Sequence, residues 1–109
     1  MYKIVILLSR KKLLLYKNDI LYKVYNVAIG KGLTPTPKGN YRIIQKALYP
    51  GGAFGSRWMR FYNGYGIHGT NADTLIGQPV SHGCVRMHNK DVEQLYDLVP
   101  LGTEVKIKL

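Results

Sequence analysis

The sequence predicts a mostly β fold with one helix in its C-terminal half packed on the sheets. Short apolar stretches rich in Tyr, Val and Ile fill the first half of the chain. Gly, Pro and Asn-Gly turn signals separate these stretches, and only one segment has helical periodicity. Because the chain has 109 residues, 46% of them hydrophobic, we expect a single domain over residues 1–109.

The apolar stretches give the predicted strands, and the turn signals divide them. Asn18-Asp19 and Asn63-Gly64 are tight-turn pairs, and Gly/Pro-rich segments at 30–39 and 49–56 are predicted loops. The apolar run at 4–8 is shorter than the roughly 7–15 residues of a signal-peptide core, which favours a buried strand. No segment approaches the roughly 18 apolar residues of a membrane span. The predicted strands are residues 2–9, 11–16, 20–29, 41–45, 58–62, 65–68 and 104–109.

One helix is predicted at residues 90–99. Asn89 is a suitable N-cap, and acidic side chains follow it in the first turn. Pro100 and Gly102 end the segment. The apolar residues have the i, i+3, i+4, i+7 spacing of a stripe that faces a core, and they are Val92, Leu95, Tyr96 and Val99.

The charge balance predicts attraction to anionic partners. Lys and Arg number 16 against 6 Asp and Glu, which gives a net charge of +10. The basic residues are scattered, with the densest cluster at 10–12, so the concentrated basic stripe of a nucleic-acid reader is missing. We therefore expect no nucleic-acid partner, and we expect a monomer.

Cys84 is the only cysteine, so it forms no internal disulfide. It is an inert small hydrophobe, a metal ligand or a nucleophile. His82 and Arg86 each lie two positions away, and in an extended segment they face the same side as the sulfur. Positive groups there stabilise the reactive thiolate. Gly83 permits a close backbone approach, with N–H groups free to hold an oxyanion. This pattern favours a nucleophile.

His68 precedes Cys84 by 16 positions, so it reaches the thiol only through folding. A Cys–His pair needs a third group that fixes the orientation of the imidazole. None of the six acidic residues lies beside His68, and Asp73, five positions on, falls in a predicted loop. We therefore expect a backbone carbonyl to orient His68.

A metal site is the alternative use of His68, His82, His88 and Cys84. Structural zinc takes four ligands in short paired spacings, whereas His82-x-Cys84 is too tight and the others form no second pair. We expect no metal and no cofactor. Most aromatic residues fall in predicted strands and are expected in the core, while Trp58 is a candidate for lining a substrate groove.

Two segments resemble the signature of the YkuD-type L,D-transpeptidases, enzymes of bacterial peptidoglycan. They are residues 67–70, Ile-His-Gly-Thr, and residues 81–87, Ser-His-Gly-Cys-Val-Arg-Met. Further similar segments lie at 30–31, 34–39 and 54–55, and the closing helix and strand also correspond, so the resemblance covers nearly the whole chain. It implies the β-rich fold of an L,D-transpeptidase catalytic domain.

The resemblance implies a covalent mechanism. Cys84 attacks the carbonyl between the third residue and the terminal D-alanine of a tetrapeptide stem, forming a thioester and releasing D-alanine. His68 is the general base, oriented by the carbonyl of Gly69. An amine of a neighbouring stem then attacks the thioester and forms a 3→3 cross-link.

The resemblance also implies supporting roles within the second segment. The backbone around His82, Gly83 and Cys84 frames the oxyanion site. Arg86 positions the motif or contacts the carboxylate of the donor. Ser81 donates a hydrogen bond within the motif.

The implied partners are peptidoglycan stem peptides, and the positive charge adds a possible anionic cell-wall polymer. The expected location is the cell envelope, outside the cytoplasm, although no signal peptide is visible in the chain. Two alternatives stay open. The protein is an L,D-carboxypeptidase that trims stems by hydrolysis, or it is a non-catalytic cationic module that binds the wall.

Overall fold

Two β-sheets and one helix share a single core in the computed structural model, which describes all of residues 1–109. The core holds 19 buried apolar side chains drawn from both sheets and the helix. No helix is long and apolar enough to cross a membrane. The strands are β1 (Tyr2–Leu7), β2 (Lys12–Lys17), β3 (Ile20–Asn26), β4 (Ile29–Gly30), β5 (Gly39–Arg42), β6 (Gln45–Leu48), β7 (Arg57–Tyr62), β8 (Tyr65–Thr70), β9 (Pro79–Ser81), β10 (Val85–His88) and β11 (Glu104–Lys108).

The first sheet has five strands in the order β3-β2-β1-β11-β5. Asn18 and Asp19 form the β2–β3 turn with φ of 51° and 68°, as their tight-turn signal predicted. The last strand, β11, lies parallel to β1 at the centre of the sheet. Alternating side chains of β1 and β2 enter the core, namely Ile4, Ile6, Leu13 and Leu15.

The second sheet has four strands in the order β10-β8-β7-β6, and a short pair of β4 and β9 lies apart from both sheets. The helix α1 (Asn89–Leu98) follows β10 directly and packs on β7, β8 and β10. Val92 and Leu95 are fully buried, as the predicted stripe requires. The mostly β fold with one packed helix is therefore confirmed.

Two strand predictions were wrong in their extent. The predicted strand at 20–29 ends at Asn26, and Ile29 with Gly30 belongs to a different pairing. The predicted strand at 41–45 is two strands in different sheets, because Arg42 ends β5 and Gln45 begins β6. Between them, Ile43 turns into the core while Ile44 stays exposed.

Candidate active site

The two signature segments meet where β8 and β10 pair in parallel. Arg86 lies opposite His68 in this pairing, and Cys84 directly precedes β10, where the N–H of Gly66 in β8 contacts its thiol. Side chains two apart in a strand point the same way. The thiol and the imidazole therefore lie on one face of the sheet, away from the core, on neighbouring strands. β7 adds Trp58 opposite His68 and Arg60 opposite Gly66 on this same face.

The imidazole of His68 is buried and held in one orientation. Its Nδ1 lies 2.7 Å from the carbonyl oxygen of Gly69. A carbonyl only accepts hydrogen bonds, so Nδ1 carries the proton of the neutral ring and Nε2 keeps a free lone pair. Trp58 stacks on the ring at 6.0 Å, and Phe54 meets it edge-on at 5.3 Å. The backbone carbonyl expected from the shortage of acids is thus in contact with the ring.

Burial lowers the pKa of His68, and the positive charge of Arg86 lowers it further against the opposing effect of the Gly69 hydrogen bond. The neutral imidazole is the form that accepts a proton. The ring is consequently ready to act as a base at neutral pH.

The thiol of Cys84 is half-buried, and its Sγ lies 3.8 Å from the carbonyl oxygen of Gly64. Burial raises the pKa of Cys84, against the opposing effects of the Gly66 N–H and the positive charge of Arg86. The positive charge of Arg86 thus favours the thiolate, as the sequence predicted, but burial has the larger effect on the pKa. The loss of hydration outweighs the attraction of Arg86.

The segment before Cys84 is not extended, contrary to the prediction. Strand β9 ends at Ser81 and β10 begins at Val85, and between them Gly83 has φ of +121°. A Cβ on Gly83 would lie 2.3 Å from the ring of Tyr65, so only glycine fits there. The alternation predicted to bring His82 beside the sulfur is broken, and His82 is exposed.

Ser81 organises this turn and changes the expected oxyanion site. Its hydroxyl donates to the carbonyl of Cys84 at 2.5 Å and accepts from the N–H of Gly83 at 3.2 Å. The N–H of Gly83 is therefore occupied, whereas the N–H groups of His82 and Cys84 have no hydrogen-bond partner. Of the three residues expected to frame an oxyanion site, His82 and Cys84 thus keep unpaired N–H groups.

Two arginines flank the reactive face. Arg86 and Arg60 are half-buried, and the Nε atoms of both lack a hydrogen-bond partner. Unpaired guanidinium groups are suited to holding a carboxylate. Arg60 was not among the predicted site residues, although its spacing of two from Trp58 in a predicted strand was a usable signal.

Asn89 does not have its predicted role as the cap of the helix. It is the first residue of the helix and not the cap, which is His88. Its Oδ1 accepts from the N–H of Ser56 at 3.0 Å, and its Nδ2 donates to Asn71 at 2.6 Å. A Cβ on Gly69 would lie 2.1 Å from the same Oδ1, so the side chain packs directly on the backbone that orients the imidazole.

His88 and Asp73 lie outside this arrangement. They contact each other through Nδ1 and Oδ1 at 2.7 Å, so Asp73 does not orient His68. No three side chains of His, Cys, Asp or Glu lie close enough together to hold a metal ion. The face therefore offers acid–base and nucleophilic groups beside cationic ones.

The fold is that of the L,D-transpeptidase catalytic domains. L,D-transpeptidase 3 from Mycobacterium tuberculosis superposes with a TM-score of 0.91 at 19% identity, over 99% of this chain and 61% of that one. An L,D-transpeptidase from Xylanimonas cellulosilytica superposes with a TM-score of 0.86 at 25% identity, over 98% of this chain and 60% of that one.

The sequence comparisons establish the family. The family model for the L,D-transpeptidase catalytic domain, YkuD, matches residues 1–107, so the chain belongs to this family and the resemblance is confirmed. The putative L,D-transpeptidases YkuD of Bacillus licheniformis and Bacillus subtilis are each 48% identical over 107 residues, or 97% of this chain. The chain spans 65% of the length of these two relatives.

Proposed function

We propose that the chain is a peptidoglycan L,D-transpeptidase that acts at the cell envelope, outside the cytoplasm. Membership of the family supports the reaction class. The pairing of β8 and β10 supports the mechanism, because it sets the thiol of Cys84 on the same face as His68, whose Nδ1 is held by Gly69. This pairing is the observation that carries the proposal.

In the first half-reaction the sulfur of Cys84 attacks the carbonyl carbon of the third residue of a tetrapeptide stem. Its proton passes to Nε2 of His68, and the negative carbonyl oxygen is held by the free N–H groups of His82 and Cys84. The C–N bond then breaks. His68 returns the proton to the departing amine, so D-alanine leaves and a thioester remains on Cys84.

In the second half-reaction an amine of a neighbouring stem attacks the thioester carbonyl. His68 takes a proton from this amine and gives it to the departing sulfur, which regenerates the thiol and leaves a 3→3 cross-link. Water in place of the amine gives a tripeptide, which is the carboxypeptidase reaction. Arg86, and Arg60 with it, would bind a donor carboxylate, while Trp58 lines the approach to the imidazole.

The net charge of +10 supports a further association with an anionic wall polymer. Such an association would concentrate the enzyme at its substrate. It is sensitive to salt, because exposed charges are screened over about 8 Å at physiological ionic strength.

The test is intact mass after exposure to a disaccharide-tetrapeptide donor. We expect an adduct equal to the donor minus D-alanine, lost completely in Cys84→Ala. In His68→Asn the acylation rate should fall by about 10²–10⁴-fold, the usual contribution of a general base. The matched control is His88→Asn, which removes a histidine bonded to Asp73 and should leave the rate unchanged.

The products separate the alternatives. Dimers indicate transfer, whereas tripeptides alone indicate that the protein is a carboxypeptidase. If no adduct forms on Cys84 and wall binding is the same in Cys84→Ala, the protein is a non-catalytic binding module and the proposal is wrong.

A further inference from the structure

The five-stranded sheet carries apolar side chains on both of its faces. Ile4 and Ile6 of β1 and their counterparts in β2 enter the core. The residues between them point to the opposite side, where an antiparallel sheet usually carries polar side chains. This outer patch consists of Val5, Leu7, Leu14, Tyr16, Leu21 and Val24.

The strand register shows how the outer patch is arranged. Across the middle of the sheet, Lys106, Val5, Leu14 and Val24 lie side by side in one row. The three apolar residues of this row lie toward the edge strand β3, and its lysine lies on β11.

The rows on either side are more mixed. One row runs from Glu104 through Lys3 and Tyr16 to Leu21, and the other runs from Lys108 through Leu7 and Lys12 to Asn26. The apolar side chains are thus contiguous over three strands, and β11 borders them with Lys106 and Lys108 beside Glu104.

Nothing in the fold covers the outer patch, because the helix and the second sheet share the core on the other side. A groove of about 410 Å³ runs over it, lined by Val5, Leu14 and Tyr16 between Lys3 and Lys106. Contiguous apolar surface with a polar rim is typical of an interaction site, and here its exposed part is Leu21 and Val24 at the edge strand.

The lysines of the border have no carboxylate partners. The two ion pairs of the structure are Arg42–Glu104 and His88–Asp73, and neither involves Lys3, Lys106 or Lys108. Asp19 is the acidic residue among those lining the groove. The groove is therefore positive as well as apolar.

From these observations we propose that the outer patch binds an acidic, amphipathic polypeptide segment. Its apolar side chains fill the groove, and its carboxylates pair with Lys3, Lys106 and Lys108. A second copy of the chain fits poorly, because it would bring an equally basic face against this one.

A lipid bilayer also fits poorly, because the apolar side chains at the centre of the outer patch do not protrude. Val5 is only 8% exposed, and Leu7, Leu14 and Tyr16 are half-buried. Insertion into a membrane requires apolar groups that reach about 5–10 Å into the headgroup boundary. A recessed groove instead suits side chains that enter it. The inference does not depend on the catalytic proposal, because the outer patch belongs to the other sheet.

The test uses a synthetic helical peptide with leucine on one face and glutamate on the other. Its binding to the 109-residue chain is measured by calorimetry at physiological salt. The triple variant Lys3→Gln, Lys106→Gln, Lys108→Gln should bind at least about tenfold more weakly. Its control, Lys31→Gln, Lys38→Gln, Lys90→Gln, makes the same change in charge at exposed positions away from the patch and should bind like the parent.

A second pair of variants tests the apolar half. Leu21 and Val24 are 49% and 52% exposed, so Leu21→Ser with Val24→Ser should fold normally yet weaken binding about tenfold. The control is Leu33→Ser with Leu48→Ser, which are 98% and 57% exposed elsewhere.

Three results would overturn the inference. In the first, patch and control variants weaken the peptide equally, which means attraction by net charge alone. In the second, phosphatidylglycerol vesicles bind in its place and depend on the patch residues. In the third, the chain sediments as a dimer that the patch variants dissociate.

Discussion

At the scale of single residues, burial favours the neutral form of both Cys84 and His68. Burial raises the pKa of Cys84 and lowers the pKa of His68, and both shifts disfavour a thiolate–imidazolium pair. In the proposed mechanism the proton would therefore be transferred during attack on the carbonyl, when the substrate has displaced water and backbone N–H groups hold the developing charge. A protected neutral thiol is also less prone to oxidation than a thiolate.

Alkylation of the protein with iodoacetamide should show this neutral pair directly. Because the pKa of Cys84 is raised, the alkylation rate should reach half its maximum at a higher pH than for a free cysteine peptide. The rate is followed by intact mass over a series of pH values, with Cys84→Ala as the blank. A half-point below neutral pH would mean that the ion pair forms in advance, contrary to the structure.

Arg86 should influence both groups through its charge. It lowers the pKa of His68 and opposes the rise in the pKa of Cys84. In Arg86→Met we therefore expect the acid limb of the acylation profile to move to higher pH, since His68 then becomes protonated earlier on acidification. Alkylation of Cys84 should move to higher pH as well.

Arg60→Met is the matched control for this shift. It removes a neighbouring arginine that is not among the main causes of either pKa shift, so the alkylation profile should change much less than in Arg86→Met while the KM for the donor rises. Equal profiles for Arg86→Met and the parent protein would contradict the electrostatic role of Arg86.

The sequence could predict which residues form this site better than it could predict their protonation states and hydrogen bonds. Cys84 and His68 stand out because each has a rare chemical type in a glycine-rich setting. Their pKa values depend on burial, which arises only when β8 and β10 pair and Phe54 covers the imidazole. The occupied N–H of Gly83 likewise depends on a left-handed turn that a pattern of alternation cannot reveal.

At the scale of elements, the helix serves as the anchor for the loop that carries Phe54. The loop closes on itself through the N–H of Tyr49 and the carbonyl of Ser56. Its base is fixed to the helix, because the hydroxyl of Ser56 donates to Glu93 at 2.7 Å and its N–H donates to Asn89. The helix thus positions the aromatic cover of the imidazole.

Asn89→Ala should reduce kcat for acylation more than it reduces stability. The variant loses the acceptor for Ser56 and the contact with Gly69, whose carbonyl orients His68. We expect a loss of about 1 ± 0.5 kcal/mol in the free energy of unfolding for each of the hydrogen bonds lost to Ser56 and Asn71, and an unchanged rate of Cys84 alkylation. Asn89→Asp keeps the oxygen acceptor and should partly restore kcat. Equal kcat in the alanine variant and the parent would show that Asn89 stabilises the fold but does not position His68.

Element boundaries were predicted well where a turn has its own chemistry and poorly where it does not. Asn18-Asp19 and Asn63-Gly64 marked real turns, because these residue types tolerate positive φ. The break between Arg42 and Gln45 has no glycine or proline. Tertiary packing sets the position of this break, since Ile43 is buried in the core at the point where the chain passes from one sheet to the other.

At the scale of the whole molecule, the two sheets have different roles. The four-stranded sheet presents the reactive face, and the five-stranded sheet supplies much of the core while leaving its outer face open. The apolar run at 4–8 predicted a buried strand, and Ile4, Val5 and Ile6 are buried in β1. Ile4 and Ile6 enter the core while Val5 lies on the outer face, a division that the run alone does not reveal because it does not say what packs against each face.

Leu13 and Leu14 are adjacent residues on opposite faces of the sheet, so a substitution at each compares the packing of the two faces. Leu13 is fully buried in the core, whereas Leu14 lies half-buried on the outer patch. Leu13→Ala should lower the free energy of unfolding by about 2–5 kcal/mol, because it removes transfer free energy and leaves a cavity. Leu14→Ala leaves no enclosed cavity, so its cost in urea denaturation should be about 1 kcal/mol or less. Equal losses at both positions would mean that the outer patch is already packed in the isolated chain, and the groove proposed as a docking site would not exist in solution.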